Sequence, residues 1–367
     1  MKFTANQSDL LEALEAVAKI IDNRCSVPIL SNVLVVAEDD TLTLTTFNQT
    51  IALSLKIEAA IEVAGEFTFP AKFFASVVAP LPDMPLLFEL EDTTLKISFL
   101  GGDAEINGIS AEDYPAIPTP EATGHSFDGN ELITAIKRAI VSVSSDETKL
   151  VLNGIHIADY NDRLEFAATN GHHLAVAVSG IPTPKDWAPI TVPSKAMDRL
   201  PGLLSKGEAV KIAADRSVVR FEGDRFALTA RLLEGQYPQY RQLIPKQFSR
   251  SLKFDVSELR KALTRIKPYA EQEIDTLIKL ENLDDALLIQ AKATEQGTSE
   301  ITFKEIEVQG DPMKWACKHS YLTAGLNAFT GDVILQQNSP TSPMVVTPQG
   351  SDDHLWLMMP VQIREGV

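Results

Sequence analysis

Five side chains in the middle of the chain have types that could do acid–base or metal chemistry. They are His156, Asp159, Asp162, His172 and His173. Imidazole and carboxylate groups act as general acids and bases and as zinc ligands. However, two adjacent histidines in a strand would point to opposite faces, and the chain has no HxxxH or HExxH spacing. The pattern therefore does not favour a catalytic or metal site.

The cysteines and glycines give no stronger signal for an enzyme. Cys25 and Cys317 lie far apart and form no CxxC pair, so we expect two reduced, structural thiols. Neither a GxGxxG sequence nor a P-loop is present. The sequence therefore predicts a protein without catalytic residues, metal or cofactor.

Length and composition predict a multidomain cytosolic protein. The 367 residues are 44% hydrophobic and 23% charged, which suits two or three packed domains. Residues 1–9 lack the apolar core of a signal peptide, and no apolar run is long enough to cross a bilayer. We therefore expect no membrane partner.

The net charge of −17 argues at first against a nucleic-acid partner. A uniformly acidic surface would repel phosphate groups. The distribution of the charge along the chain therefore matters more than its sum.

Three sequence markers recur with a spacing of 122–127 residues and predict a threefold repeat. The first places an aromatic residue shortly before an amphipathic helix, at Phe3, Phe127 and Phe254. The second closes a strand and opens another helix, at Thr68–Lys72, Thr191–Lys195 and, more loosely, Ala316–Ser320. The third is a Tyr-Pro pair at 114–115 and 237–238.

The markers thus predict that each repeat contains two helices, each preceded and followed by strands. Apolar residues at helical spacing predict helices over 9–20, 71–78, 128–142, 194–206, 257–269 and 318–329. Asp9, Asp128 and Ser257 are expected as N-caps or first-turn residues. Alternating segments such as 42–45 and 51–57 predict half-buried strands. We expect three α+β domains of mostly antiparallel sheet, over residues 1–122, 123–248 and 249–367.

The predicted helices are basic and the rest of the chain is acidic. The six helices hold 12 Lys and Arg against 7 Asp and Glu, which leaves 21 basic and 43 acidic residues elsewhere. Solvated helix faces often carry lysine. The alternative interpretation is that the helices share one surface that faces a polyanion, while an acidic exterior discourages non-specific adhesion.

Several segments in family order resemble the bacterial sliding clamp, the beta subunit of DNA polymerase III. They are Met1–Thr4, Arg24–Asn32, Thr169–Val176, Glu234–Tyr240, Ser320–Leu322 and Leu357–Val361. The resemblance implies a head-to-tail homodimer that forms a six-domain ring with sheets outside and helices lining the hole. Such a ring encircles double-stranded DNA without reading sequence, slides on it, and tethers the replicative polymerase. It would lie in the cytoplasm, and with the nucleoid once loaded.

The resemblance also implies three sets of site residues. The residues facing DNA would include Arg24, Lys72, Lys137, Arg138, Lys195 and Arg199. The dimer contact would join the strand edge near Ala104 and Ile106 to the helix end near Pro268 and Tyr269. A hydrophobic cleft between the second and third domains would take short apolar motifs of the polymerase catalytic subunit, the clamp loader and other clamp-binding proteins. It would be lined by Leu152, Thr169, Gly171, His172, His173, Leu174, Pro238, Gln242, Leu243, Tyr321, Met344, Met358, Met359, Pro360 and Val361.

Two cleft positions depart from the family pattern. Many members carry arginine where this chain has His173 and Gln242. Loss of two guanidinium groups removes fixed donors and stacking planes, so partner preference is expected to differ. A triplicated scaffold that never meets DNA is the remaining alternative. The basic helices argue against it, because a scaffold does not need positive charge concentrated on one type of element.

Overall fold

The computed structural model describes residues 1–21, 27–272 and 275–362, and Arg24 and Cys25 lie outside this part. It contains six α-helices within the described residues. They are α1 (Gln7–Ala18), α2 (Ala71–Val78), α3 (Gly129–Ala139), α4 (Ser194–Leu203), α5 (Val256–Ala270) and α6 (His319–Leu326). None of these helices has the length and apolar composition needed to span a membrane.

The strands are short and almost all are paired antiparallel with their neighbours. The first half of the chain contributes β1 (Lys2–Asn6), β2 (Asn32–Glu38), β3 (Thr41–Phe47), β4 (Ile51–Glu58), β5 (Ala60–Val63), β6 (Gly65–Pro70), β7 (Pro85–Glu91), β8 (Thr94–Phe99), β9 (Gly102–Asn107), β10 (His125–Asp128), β11 (Gly154–Tyr160), β12 (Arg163–Thr169) and β13 (His173–Pro182). The second half contributes β14 (Ile190–Pro193), β15 (Ala209–Ala214), β16 (Val218–Glu222), β17 (Phe226–Arg231), β18 (Arg250–Asp255), β19 (Leu277–Asn282), β20 (Leu287–Ala293), β21 (Gly297–Phe303), β22 (Ile306–Gln309), β23 (Met313–Lys318), β24 (Asp332–Gln337), β25 (Met344–Pro348) and β26 (His354–Met358).

The chain divides into two compact units, each with its own sheets. Unit one comprises Met1–Gly129 and Gly202–Leu232. Its five-stranded sheet has the order β5-β1-β7-β8-β9, and its eight-stranded sheet has the order β10-β15-β16-β17-β4-β3-β2-β6. Helices α1 and α2 pack on each other over a core in which the rings of Phe3 and Phe88 stack at 4.7 Å.

Unit two comprises Asn130–Pro201 and Leu233–Val367. Its nine-stranded sheet has the order β14-β11-β12-β13-β26-β25-β24-β18-β22, and its four-stranded sheet has the order β21-β20-β19-β23. Helices α5 and α6 cover a core that contains Trp315 and Trp356, both fully buried. A separate apolar cluster lies around Leu174 and Tyr237.

The predicted threefold repeat is confirmed by two strand-to-helix modules in each repeat. Strands β1, β10 and β18 run directly into α1, α3 and α5, and the marker aromatics Phe3, Phe127 and Phe254 are buried on these strands. Strands β6, β14 and β23 run directly into α2, α4 and α6. The proposed domain limits stay a prediction, because β4 pairs with β17 and β13 pairs with β26, so both large sheets continue past those limits.

Helix ends differ from the predicted ones by a few residues. Asp255 caps α5, because its carboxylate accepts the backbone N–H of Ser257 at 2.8 Å, so Ser257 lies in the first turn. Asp9 is likewise a first-turn residue of α1. Helix α3 ends at Ala139 and continues as a 3-10 turn over Ile140–Ser142.

The charge contrast between helices and the rest of the chain is smaller than predicted. Within the observed bounds the helices hold nine Lys and Arg against six Asp and Glu. Helix α1 carries three acidic residues and no basic one, and α6 carries no formal charge. The positive charge is therefore concentrated on α2 to α5.

Candidate functional site

The turn between β12 and β13 is fixed by its own side chains. The Thr169 hydroxyl donates to the carbonyl of His173 at 2.7 Å and accepts the N–H of Gly171 at 3.1 Å. The Asn170 side-chain oxygen accepts the N–H groups of His172 and His173 at 2.9 and 3.0 Å. Gly171 has φ +91°, a conformation that glycine adopts without strain. The turn is therefore a rigid support rather than a mobile loop.

The side chain of Tyr237 holds this turn in place. The Tyr237 hydroxyl accepts the backbone N–H of Thr169 at 3.1 Å. The Tyr237 ring stacks on His156 at 4.5 Å and meets Tyr240 edge-on at 6.0 Å. Burial raises the pKa of both tyrosines and lowers the pKa of His156 to about 4, so all three are neutral at pH 7. These neutral rings form an apolar wall with few free polar groups.

The rings of Tyr237 and Tyr240 belong to an apolar group that we call the floor cluster. It consists of Ala167, Leu174, Val176, Tyr237, Tyr240, Val345 and Leu357, with Val151, Leu152, Ile244, Phe248 and Leu355 partly buried against it. The structure thus brings together Leu152 and Leu174, which the sequence placed in the cleft. The prediction missed Leu357 and Val345. Strand alternation could have found Leu357, because it shares a face with Met359.

Large apolar side chains at the edge of the floor cluster are open to solvent. Leu243 is 62% exposed, Leu150 65% and Met359 45%, and Pro238 is also exposed. Strand β26 pairs with β13, and the backbone N–H of Met359 donates to the carbonyl of His172 at 3.0 Å. The residues after β26 therefore lie beside the turn. Leu150 was not predicted, although its apolar type in a polar segment is a signal.

Met344 and Met358, which the resemblance placed in the cleft, do not belong to the floor cluster. Both side chains are fully buried in the core under α5 and α6, on the other side of the sheet from the floor cluster. Successive side chains of a strand point to opposite faces, so Met358 and Met359 cannot share a surface. Their polarizable side chains pack the core and are closed to a ligand. Pro360 is half-buried, and Val361 bridges to Ala316.

His173, one of the two positions where the resemblance implies arginine, is buried and hydrogen-bonded. Its Nδ1 lies 2.8 Å from the Ser142 hydroxyl and its Nε2 lies 2.9 Å from the Asn170 amide nitrogen. Burial, with a smaller effect of His172, lowers the pKa of His173 to about 4. The imidazole therefore supplies no positive charge at neutral pH. Gln242 is exposed and uncharged, so neither departure places a cation on this surface.

His172 and Tyr321 form the end of the surface beyond the turn. The exposed ring of His172 lies over Tyr321 with centroids 6.0 Å apart. The Lys318 ammonium group lies 5.4 Å from the centre of the Tyr321 ring, within the range of a cation–π contact. This end therefore combines aromatic faces with one positive charge.

A buried carboxylate anchors the turn that carries Leu243. Glu165 on β12 is 2% exposed and accepts the Tyr240 hydroxyl at 2.5 Å. Its carboxylate also forms a two-point contact with the Arg241 guanidinium, which in turn lies 3.2 Å above the centre of the Tyr160 ring. A two-point ion pair with one partner buried fixes the geometry of both side chains. No sequence pattern predicted this network.

The residues predicted to face DNA all lie on helices, except Arg24, which falls outside the described residues. Lys72 is exposed on α2, and Lys137 is exposed on α3 with Arg138 half-buried beside it. On α4, Lys195 is exposed and Arg199 is half-buried.

The predicted dimer contacts include a strand with a free edge. Strand β9 is the last strand of its sheet, and Ala104 on it is half-buried. Ile106 is only 1% exposed and packs into its own core, so its side chain cannot reach another subunit without disturbing the fold. Pro268 is exposed and Tyr269 half-buried near the end of α5.

The alternative acid–base site gains no support from the geometry. His156 bonds to Thr191 at 3.0 Å, while His173 bonds to Ser142. Within the described residues no group of His, Cys, Asp and Glu is arranged to hold a metal ion. Cys317 is a free thiol whose pKa is raised by complete burial.

Comparison with known proteins gives matches along the whole chain. Models of the N-terminal, central and C-terminal domains of the DNA polymerase III beta subunit match residues 1–118, 126–239 and 241–362. A beta sliding clamp of Synechococcus elongatus is 34% identical over 99% of this chain and all of its own. A beta sliding clamp of Caulobacter vibrioides is 28% identical over the same shares.

Solved structures match with equal coverage. The DNA polymerase sliding clamp of Bacillus subtilis has a TM-score of 0.92 at 23% identity, covering 99% of this chain and 100% of its own. A sliding clamp of Pseudomonas aeruginosa, solved with griselimycin bound, has a TM-score of 0.90 at 26% identity over the same shares.

Proposed function

The chain belongs to the family of bacterial DNA polymerase III beta subunits, the beta sliding clamps, and we propose that two copies close around duplex DNA and slide along it. The observation that carries this proposal is the match of all three family domains to a chain built from three copies of one strand-to-helix pattern. A three-domain chain supplies half of a six-domain ring, so a head-to-tail contact between two copies closes it.

DNA is held by enclosure more than by contacts. Lys72, Lys137, Arg138, Lys195 and Arg199 lie on helices and meet phosphates without reading bases. The acidic remainder of the chain keeps DNA off the outer surface, because like charge repels the backbone. A modest positive lining attracts the duplex without fixing one register, and this permits sliding.

The two copies associate through free strand edges. An unpaired edge is a template for another strand, and β9 is such an edge in its sheet. In the four-stranded sheet, β21 is also an edge and lies against α5, whose end carries Tyr269. Pairing β9 of one copy with β21 of the other would satisfy both edges.

The floor cluster and its exposed rim bind apolar motifs of partner proteins. An extended peptide can place its apolar side chains on Leu152, Leu174 and Leu357 while Leu243 and Met359 close over it. The replicative polymerase catalytic subunit and the clamp loader are the principal partners, and other proteins with the same motif share the site. The rigid turn at Thr169–His173 lowers the entropic cost of binding.

The protein acts in the cytoplasm as a processivity factor and catalyses no reaction itself. Burial keeps the imidazoles of His156 and His173 neutral at pH 7, and both are hydrogen-bonded within the fold. Its contribution to synthesis is the tether, which converts repeated bimolecular encounters of the polymerase with DNA into an intramolecular one.

Native mass spectrometry with small DNA circles tests the assembly directly. Two chains without DNA, and two chains plus one circle after treatment with a clamp loader, are expected. A single chain bound to a circle, or an assembly without loader dependence, would contradict the ring.

A further inference from the structure

Unit two contains a cavity of about 300 Å³ beside the last turns of α3. Helix α3 contributes Thr134, Lys137 and Arg138 to its lining. The loop that follows α6 contributes residues 327–330, and β26 contributes His354. These elements all belong to unit two, so the cavity is a feature of one folded body.

The lining is positively charged and contains no acidic residue among those described. This is unusual for a chain whose net charge is −17. Lys137 is exposed at the mouth, and Arg138 is half-buried. A concave surface with charge of one sign raises the local concentration of the opposite ion.

His354 lines this cavity and has an unsatisfied polar atom. The side chain is 1% exposed, and its Nε2 has no hydrogen-bond partner within the described structure. Its ring is held in place by stacking on Phe329 at 4.1 Å. Burial, with a smaller effect of the Arg138 charge, lowers the pKa of His354 to about 3. A neutral imidazole with hydrogen on Nε2 can donate to an anion without taking up a proton.

Arg260 occupies two carbonyl oxygens near the cavity that would otherwise repel an anion. Its guanidinium donates to the carbonyls of Leu326 and Phe329, the latter at 2.7 Å. Carbonyl oxygens at the end of a helix carry partial negative charge. Because these two already accept from a cation, the loop side of the cavity is favourable to negative charge.

We propose that this cavity binds one phosphate group, held by Lys137, Arg138, the Thr330 hydroxyl and the His354 imidazole. Phosphate is tetrahedral, doubly or singly charged and rich in acceptors, which matches two cations and two neutral donors. The assignment rests on the proposed function in one respect. Helix α3 is among those proposed to face DNA, so the natural source is a backbone phosphate of the enclosed duplex, with free inorganic phosphate as the other source.

The consequence is a series of equivalent resting positions, one at each successive phosphate, so that no single register is fixed. A phosphate seated in a cavity is held more firmly than one passing exposed lysines. Sliding then proceeds between successive phosphates through a small barrier at this site. Removal of the seat should speed diffusion along DNA without opening the ring.

Titration of inorganic phosphate into the intact dimer, followed by ³¹P NMR line broadening, tests the site. Arg138→Met should weaken phosphate binding at least tenfold, and Lys137→Met several-fold. Lys211→Met is the matched control, because it removes an exposed lysine of β15 that neither lines the cavity nor belongs to the residues proposed to face DNA. Its phosphate affinity should stay within twofold of the wild type. Non-saturable broadening, or equal loss in Arg138→Met and Lys211→Met, would overturn the proposal.

A second experiment distinguishes the two sources of phosphate. It also distinguishes a failure of the phosphate site from a failure of the proposed function. Loading the dimer on a DNA circle should displace inorganic phosphate if the backbone occupies the cavity. Phosphate that stays bound to the loaded ring supports the site with free phosphate as its ligand. If the wild-type ring is retained on circles but never binds phosphate, the proposed phosphate site is wrong and the proposed function is unaffected. A protein that binds phosphate but is not retained on circles contradicts the proposed function instead.

Discussion

Replacing Arg241 by methionine should both destabilise the fold and weaken peptide binding. The change keeps most of the side-chain volume but removes the guanidinium from Glu165, a carboxylate that is 2% exposed. The Tyr240 hydroxyl would then be left as its remaining identified partner. We expect a loss of about 3 kcal/mol in the free energy of unfolding, at the low end for breaking a buried pair because Arg241 is 37% exposed.

The same change loosens the turn that presents Leu243. Arg241 is two residues before Leu243 and ties this segment to β12 through Glu165. A less ordered rim must be fixed when a peptide binds, so peptide affinity should fall about five- to tenfold through the ordering cost. Urea unfolding at one protein concentration and fluorescence anisotropy with a polymerase-derived peptide measure the two effects.

A double-mutant cycle decides whether the network causes these losses. Glu165→Gln combined with Arg241→Met should destabilise less than the sum of the single changes, by about 1–2 kcal/mol, because both remove one interaction. Lys253→Met is the control, since it breaks an exposed pair with Glu307 and should cost about 0.5 kcal/mol or less. Additive single effects, or a loss in Arg241→Met no larger than in the control, would refute the reasoning.

Three further predictions concern the cleft, the lining and the dimer. Leu243→Glu or Met359→Glu should weaken binding of the polymerase peptide about 10- to 100-fold in anisotropy titrations. Leu100→Glu, on an exposed turn of unit one, should leave the peptide affinity unchanged. Equal affinities in all three variants would mean that the partner site lies elsewhere. Charge reversal at Lys137, Arg138 and Lys195 should shorten retention on DNA circles and flatten its dependence on salt. Charge reversal at the strand lysines Lys211, Lys279 and Lys292 should change neither. Identical salt dependence in the two variants would place the helical residues on the outer surface. Ala104→Asp with Tyr269→Asp should yield monomers in sedimentation, while Val63→Asp on β5, the opposite edge of the β9 sheet, should remain dimeric; a dimer in the first variant would exclude this interface.

The repeat pattern was sufficient to predict the architecture. Markers at Phe3, Phe127 and Phe254 recur because each must fill the same core position before a helix, so sequence spacing and structure agree. Helix ends were less accurate. Helix α1, for example, was predicted over 9–20 and spans Gln7–Ala18, whereas Ser257 is a first-turn residue of α5, one of the two positions expected for it.

The candidate site was predicted in part, and the errors have a physical cause. Leu152 and Leu174 lie in one apolar cluster as expected. Met358 was assigned to the same surface as Met359, which strand alternation forbids, and Ile106 was treated as open although its edge strand turns that side chain inward. The Glu165–Arg241 pair could not be foreseen, because nothing in the sequence tells which residues 76 positions apart will meet.

Cutting a DNA circle that carries the protein distinguishes a ring that encloses DNA from a protein that binds its surface. The dimer is loaded on nicked circles, isolated by gel filtration, and the DNA is then cut once with a restriction enzyme. Retention on the circle, rapid loss after cutting, and retention on cut DNA whose ends are blocked by bound protein are predicted. Equal retention on circular and open-ended linear DNA would mean that the protein grips DNA by surface contacts, and would contradict the account.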